Sequence, residues 1–449
     1  MIVLALSAAL ATAEKRCYPA GLDTEAYCMT FTAKDGISLH AMRLPAIHPN
    51  PNPDPLFILA GGPGQAATQI APLIDKRFHS IRTKRDLVFI DQRGTGKSTP
   101  IRCDLEEKPF SESYSTVIPT EELKTCGEKV NVEKFLSHKA AEDIELVREG
   151  YGYEDINVYA VSYGTRLALT LLDNHPKGIR KLVLDGVVAN QTPLGQNFEQ
   201  DADKALEKLF ADCKSSDECD AAFPVLVDDF NRILSSLETA RSIAVRNPET
   251  GIRSRISIDK SGFLMALRTI LYSVELSAML PFTINRAAED DWGPFVAQTS
   301  TGMAGDLGIG LNLSIVCTED EARLGEQDDR SNSVFGSLMR ESVSAMCETW
   351  PKAAEYDLAQ KAVISDIPIL MLSGELDPVT PPSSAEKAKE TLSGAIHLIA
   401  PGAAHNVAMT ACAAKEIHSF LDGKSNFEQS CIESITRPPF FIGHYGTAP

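Results

Sequence analysis

Residues Ile156 to Leu171 constrain this chain more than any other stretch. They open on Asn157-Val158-Tyr159-Ala160-Val161, a short apolar run with β-branched and aromatic members, which predicts a buried strand. They close on an apolar helical run, Leu167 to Leu171, with Arg166 as its early charge. Between the two stands Ser162, with Ala160 two residues before it and Gly164 two residues after. A strand that turns directly into a helix needs small residues on both sides of the turn, because larger side chains collide there. Such a turn pushes the serine hydroxyl out at the end of a sheet. Ala160 stands where G-x-S-x-G has its first glycine, and taken alone the segment also fits an ordinary serine in a strand-to-helix loop.

The flanking chain has the same strand–helix rhythm. Leu56 to Leu59 reads as a buried strand running into Ala60-Gly61-Gly62-Pro63-Gly64. Its glycines and proline make a sharp loop whose backbone N–H groups can face a developing oxyanion, although a plain turn fits as well. Asp86 to Ile90 is the next strand, followed by Asp91-Gln92-Arg93-Gly94-Thr95-Gly96-Lys97-Ser98. A phosphate-binding G-x-x-x-x-G-K-[ST] loop would need glycine at 91, so nucleotide binding is rejected. Asp91 and Arg93 are expected to brace the glycine loop. Ala140 to Gly150 has helical spacing and Ile179 to Val188 is a further strand. This alternation predicts an α/β fold, with a mostly parallel central sheet covered by helices on both faces.

From about 190 to 351 the pattern is helical, with few sheet-like runs, which predicts an inserted cap over the C-terminal ends of the strands. Within it, Gly302 to Leu313 reads as a glycine-rich loop near the cleft. Strands resume at Ile367 to Leu372 and Ala395 to Ala400, ending respectively in Gly374-Glu375-Leu376-Asp377-Pro378 and Pro401-Gly402-Ala403-Ala404-His405. The expected organisation is a signal segment at 1–13, a first core part at 14–189, the cap at 190–351 and a second core part at 352–449.

Met1 to Ala13 has a short apolar run and a small-x-small end, Ala11-Thr12-Ala13, before Glu14-Lys15-Arg16. It reads as a signal peptide without a basic n-region, and it is too short to span a bilayer. A buried N-terminal element is the alternative. The ten cysteines fit export to an oxidising compartment, with sequence neighbours able to pair. Reduced core thiols are the other possibility. No C-x-x-C or His-rich spacing points to zinc, and no metal or cofactor is expected. The net charge of -18 argues against a nucleic-acid partner. Oligomeric state is not legible.

A serine hydroxyl is a weak nucleophile that needs a base, oriented in turn by a carboxylate. Asp377 and His405 both stand at the ends of predicted core strands, after Ser162. Gly61-Gly62-Pro63-Gly64, the Asp91 to Ser98 segment, Ser162 to Leu169, Gly374 to Pro382 and Gly402-x-x-His405 together resemble the proline iminopeptidase and tripeptidyl aminopeptidase branch of the α/β-hydrolases, serine peptidase family S33. The likeness runs from about 30 to 440 and includes a TAP-like C-terminal region. It implies Ser162 as nucleophile, His405 as base, Asp377 as its orienter, and an oxyanion hole from the N–H groups of Gly62 and Tyr163. Ala60, where many relatives have histidine, and Ala160 depart from the pattern, and both are small enough to keep the turns.

The resemblance also implies a peptide substrate with a free N-terminus, its amine held by carboxylates. Glu319 and Asp320, after Cys317, are the local candidates, beside a plain reading as solvated acids. Trp292, Phe295, Phe263 and Tyr272 either line the acyl-side pocket or pack the cap. The expected activity is that of a secreted or periplasmic serine aminopeptidase. An esterase on the same fold and a non-catalytic binding protein are the alternatives.

Overall fold

Strands buried on both faces carry apolar residues at every position, and their alternation decides which layer each side chain joins. The computed structural model describes residues 11–103, 105, 109–301, 307–325, 333–354, 356, 360–424 and 429–447. Residues 1–10, which hold most of the expected signal segment, and 302–306 of the expected glycine-rich loop lie outside the described residues.

The chain opens with β1 (Lys15–Cys17), β2 (Ala26–Thr32) and β3 (Ser38–Leu44), which pair antiparallel. Then come β4 (Leu56–Leu59), β5 (Leu87–Ile90), β6 (Ile156–Val161) and β7 (Ile179–Asp185). A hairpin of β8 (Arg241–Arg246) and β9 (Arg253–Ile258) stands apart, and β10 (Ile369–Gly374) and β11 (Ala395–Ala400) complete the main sheet. The nine strands lie in the order β1-β2-β3-β5-β4-β6-β7-β10-β11, parallel from β5 to β11. The order reverses direction around β4, and clefts in such sheets open beyond the C-terminal strand ends at that point. β4 ends in the glycine loop and β6, its neighbour, ends at Ser162.

Phe57, Leu59, Val158 and Ala160 face one layer, packed with Ile144, Val147, Leu167 and Leu171 of helices Ser137–Tyr151 and Tyr163–Asn174. Ile58 and Tyr159 face the other, against Phe78, Ile81, Ile417 and Leu421. Each fully buried side chain of this kind contributes about 1.5–3 kcal/mol, so the two layers dominate the stability of the frame.

Between β7 and β10 the helices Phe198–Ser215, Leu226–Ser236, Lys260–Leu271 and Leu280–Ala288 build a second core of Leu206, Leu209, Phe230, Phe263, Leu267 and Ile284. Two features depart from the sequence reading. The region contains the β8–β9 hairpin, whose inward residues Ile243, Val245, Ile256 and Ile258 alternate as a half-buried ribbon requires. And the segment from 309 to 316 packs Leu311, Ile315 and Val316 into the sheet core rather than into the cap.

All ten cysteines are paired, each with its neighbour in sequence: 17–28, 103–126, 213–219, 317–347 and 412–431. No helix among the described residues is long and apolar enough to cross a membrane.

Candidate active site

Ser162 sits between β6 and helix Tyr163–Asn174 with φ 56° and ψ -130°. A non-glycine residue held there costs on the order of 1–3 kcal/mol, which the surrounding fold must over-determine. Its N–H donates to Asp185 O at 2.9 Å, tying the turn to β7. The helix start crosses under β4 so tightly that a Cβ on Gly164 would lie 2.6 Å from Ala60 O and 2.7 Å from Leu59 O. Glycine is therefore required at 164, whereas Ala160, inside β6 and fully buried, is accommodated. Ser162 Oγ makes no hydrogen bond among the described residues, so the hydroxyl has no internal partner to give up.

Asp377 follows β10 and is held from four sides. Oδ1 accepts from the N–H groups of Val379 at 2.9 Å and Thr380 at 3.0 Å. Oδ2 accepts from Thr380 Oγ1 at 2.7 Å and from His405 Nδ1 at 2.8 Å. Burial alone would raise this carboxyl, but the charge and hydrogen bond of His405 and the Thr380 bonds hold it below the usual aspartate value. His405 shows the mirror image: burial disfavours the imidazolium, yet Asp377 outweighs burial and raises the ring above the ordinary histidine value. With Nδ1–H assigned to Asp377 by this bond, Nε2 is left as the basic nitrogen. The ring lies over Gly186, where an added Cβ would stand 3.1 Å from His405 Cε1, and Gly186 follows the Asp185 that anchors Ser162.

Asp185 is a site residue that the sequence reading assigned only to a strand. Its carboxylate accepts from Val407 N and Ala408 N, both at 2.9 Å, and from Tyr159 Oη at 3.0 Å. One residue thus fixes both the loop that carries His405 and, through its backbone, the turn that carries Ser162. Burial pushes it up to about 6 in spite of these bonds. An acid closing a fully buried strand was the available signal.

The glycine loop completes the geometry. A Cβ on Gly61 would lie 2.9 Å from Ser162 Cβ, so its backbone runs against the serine. The N–H of Tyr163, first in its helix, and that of Gly62 donate to no protein acceptor among the described residues, and helix-start amides are inherently unpartnered. The loop is clamped by Gly308 N to Gly64 O at 2.9 Å and Asn312 Nδ2 to Pro63 O at 2.9 Å. Asp91 braces its exit, accepting from Thr68 N at 2.9 Å. Arg93 does not touch the loop as expected. It pairs with Asp143 and Asp35, locking helix Ser137–Tyr151 to the sheet edge.

Glu319 and Asp320 are not where an amine could reach them. Both have no exposed surface. Glu319 accepts from Ser137 N and Ser137 Oγ at 2.7 Å each, and Ser137 Oγ lies 2.8 Å from Tyr163 Oη. Asp320 binds Arg166 Nη1 at 2.7 and 2.9 Å and accepts from Leu194 N at 2.9 Å. The 317–347 disulfide ties this turn to helix Leu338–Thr349. Of the four aromatics, Phe263, Trp292 and Phe295 stack on one another inside the cap, at 5.0–6.1 Å between ring centres. Only Tyr272 stands at the site, edge-on to His405 at 5.2 Å. No cluster of three or more potential metal ligands occurs among the described residues.

Comparison with known proteins matches the fold. Residues 54–227 match the family model described as alpha/beta hydrolase fold, and residues 332–430 match the one described as TAP-like protein. The chain is 22% identical over 399 residues to the putative hydrolase YuaR of Escherichia coli, across 82% of this chain and 78% of that one. It is 23% identical over 412 residues to the serine protease Hip1 of Mycobacterium tuberculosis, with the same 82% and 78% covered. It is 22% identical over 367 residues to the tripeptidyl aminopeptidase of Streptomyces lividans, covering 74% and 67%.

Proposed function

We propose that this α/β-hydrolase, TAP-like in its C-terminal part, is an exported serine exopeptidase that removes N-terminal residues or short peptides. The observation that carries the reading is the 2.8 Å Asp377–His405 pair at the C-terminal ends of the strands, together with Ser162 at its strained turn after β6 and, among the described residues, two N–H groups beside it without acceptors. Names of related proteins supply the peptide: a serine protease and a tripeptidyl aminopeptidase.

In this reading His405 Nε2 takes the proton from Ser162 Oγ as the oxygen attacks the scissile carbonyl. The N–H groups of Gly62 and Tyr163 receive the oxyanion, a stabilisation worth about 2.7–4 kcal/mol per donor. His405 returns the proton to the leaving amine, releasing the downstream peptide and leaving the acyl group on Ser162. Water, deprotonated by the same nitrogen, then frees the N-terminal fragment. Asp377 stays ionised and stabilises the imidazolium. The five disulfides support an oxidising destination.

The test is anilide release from aminoacyl and tripeptidyl substrates, with and without N-acetylation, beside p-nitrophenyl acyl esters. Free-amine peptides should be cut and their acetylated forms spared. Ester turnover without peptide cleavage would favour an esterase instead.

A further inference from the structure

Helix Lys260–Leu271 brings one cation to the site, and it is oddly equipped. Arg268 has 9% of its surface exposed, and its Nε is buried with no hydrogen-bond partner. Among the described residues no carboxylate or carbonyl accepts from any of its nitrogens. The guanidinium lies instead between two rings, 5.0 Å from the centre of Phe198 and 5.4 Å from that of Tyr272. Tyr272 in turn touches His405. Among the described residues the other buried arginines each have a carboxylate partner: Arg82 has Asp75, Arg85 has Asp54 and Asp422, Arg93 has Asp143 and Asp35, and Arg166, whose Nε is also unpartnered, has Asp320.

Two ring faces hold a planar cation in place and offset part of its desolvation, but they satisfy none of its N–H groups. Asp201 is near enough for the charges to be felt, yet forms no ion pair with Arg268, its nearest cation being Lys204 at 3.9 Å. A buried, oriented guanidinium with unused donors beside the reacting centre has the form of a receptor for a carboxylate, which such a fork binds bidentately. The overall charge of -18 repels anions at range, so any preference for them must come from a local contact of this kind.

We propose that Arg268 is a specificity-determining residue that receives a substrate carboxylate next to the scissile bond, either an acidic side chain or the terminal carboxylate of a short peptide. The proposal rests on the hydrolase reading above for the identity of the reacting centre.

The experiment compares kcat/KM for peptide pairs that differ only in Glu against Gln at each residue flanking the cleaved bond. Each peptide is made with a free and an amidated C-terminus, which separates the two carboxylate sources. In the wild-type protein at least one carboxylate form should exceed its neutral isostere by about tenfold or more, the scale of a charged hydrogen bond. In Arg268→Gln that ratio should collapse to near one, and Arg268→Lys should keep part of it. Ratios of one or less in all wild-type pairs would overturn the proposal, as would a preference that survives Arg268→Gln. The wild-type pairs decide the matter even if the variant does not fold. Should no peptide be cut at all, the peptidase reading fails separately. The Kd of the same pairs for Ser162→Ala then measures the charge preference without chemistry, with equal affinities for charged and neutral forms overturning it.

Discussion

Beside Ser162, His405 and Asp377, the described residues hold a second set of serine, histidine and carboxylate, and that second set has more of its hydrogen bonds in place. In the second set, Ser373 Oγ lies 2.9 Å from His397 Nε2, and His397 Nδ1 lies 2.6 Å from Glu386. Ser162 Oγ, by contrast, has no hydrogen-bond partner among the described residues. Three differences separate them. Ser373 is inside β10 with no exposed surface, while Ser162 is lifted out by a positive φ. Unpartnered N–H groups flank Ser162, whereas Ser373 is a residue within the hydrogen-bonded sheet ladder. And Asp377 is enclosed, 1% exposed, where Glu386 is 54% exposed. Screening by water weakens the exposed carboxylate, so burial wins at His397 and lowers its pKa, while Asp377 wins at His405 and raises it. A proton relay is thus a matter of access and enclosure as much as of distance.

The two carboxylates should differ most in what their loss does to turnover. Asp377→Asn should lower kcat by about 10⁴-fold, because the amide selects the wrong tautomer of His405. Glu386→Gln should change kcat/KM by less than about threefold, as a surface substitution away from the site. Steady-state kinetics on one anilide substrate checks both, and a comparable loss from the two would erase the distinction between the sets.

The pH dependence should follow from the same difference in enclosure. His405 must be neutral to act as base, and its pKa is held above the ordinary histidine value of 6.5. The acid limb of kcat/KM should therefore lie above 6.5. Stability follows with the opposite sense: the His405 contribution is complete below the unfolded value and is lost as pH rises through the folded one. Because Asp377 raises His405 more than Asp185 does, Asp377→Asn should move the residual acid limb downward.

The smallest effect belongs to the acids once expected at the substrate amine. Glu319→Gln should cost about 1–3 kcal/mol of stability, through a weakened buried bond to Ser137, and leave KM for free-amine peptides unchanged. Denaturant melts and KM measured on the same preparation separate these outcomes.

Much of the frame was legible because buried parallel strands are written as apolar runs with abrupt ends. Ser162, Asp377 and His405 stand out as polar residues at such ends, and the last two lie 2.8 Å apart. Glu319 and Asp320 misled because an acidic run looks solvated when Arg166 and Ser137, its partners, are some 150 to 180 positions away in sequence. The β8–β9 hairpin was readable in the alternation of Ile243 with Val245 and Ile256 with Ile258, but its strands are short and lie among helical runs. Arg268 left no trace in the sequence, since its meaning depends on what does not pair with it.

Ser162, and not Ser373, should be the nucleophile. Fluorophosphonate labelling of the folded protein, followed by peptide mass mapping, measures this directly. An adduct on Ser162 that disappears on denaturation before labelling and is lost in His405→Ala is the expected result. An adduct on Ser373, or none on Ser162 in folded protein, would contradict it.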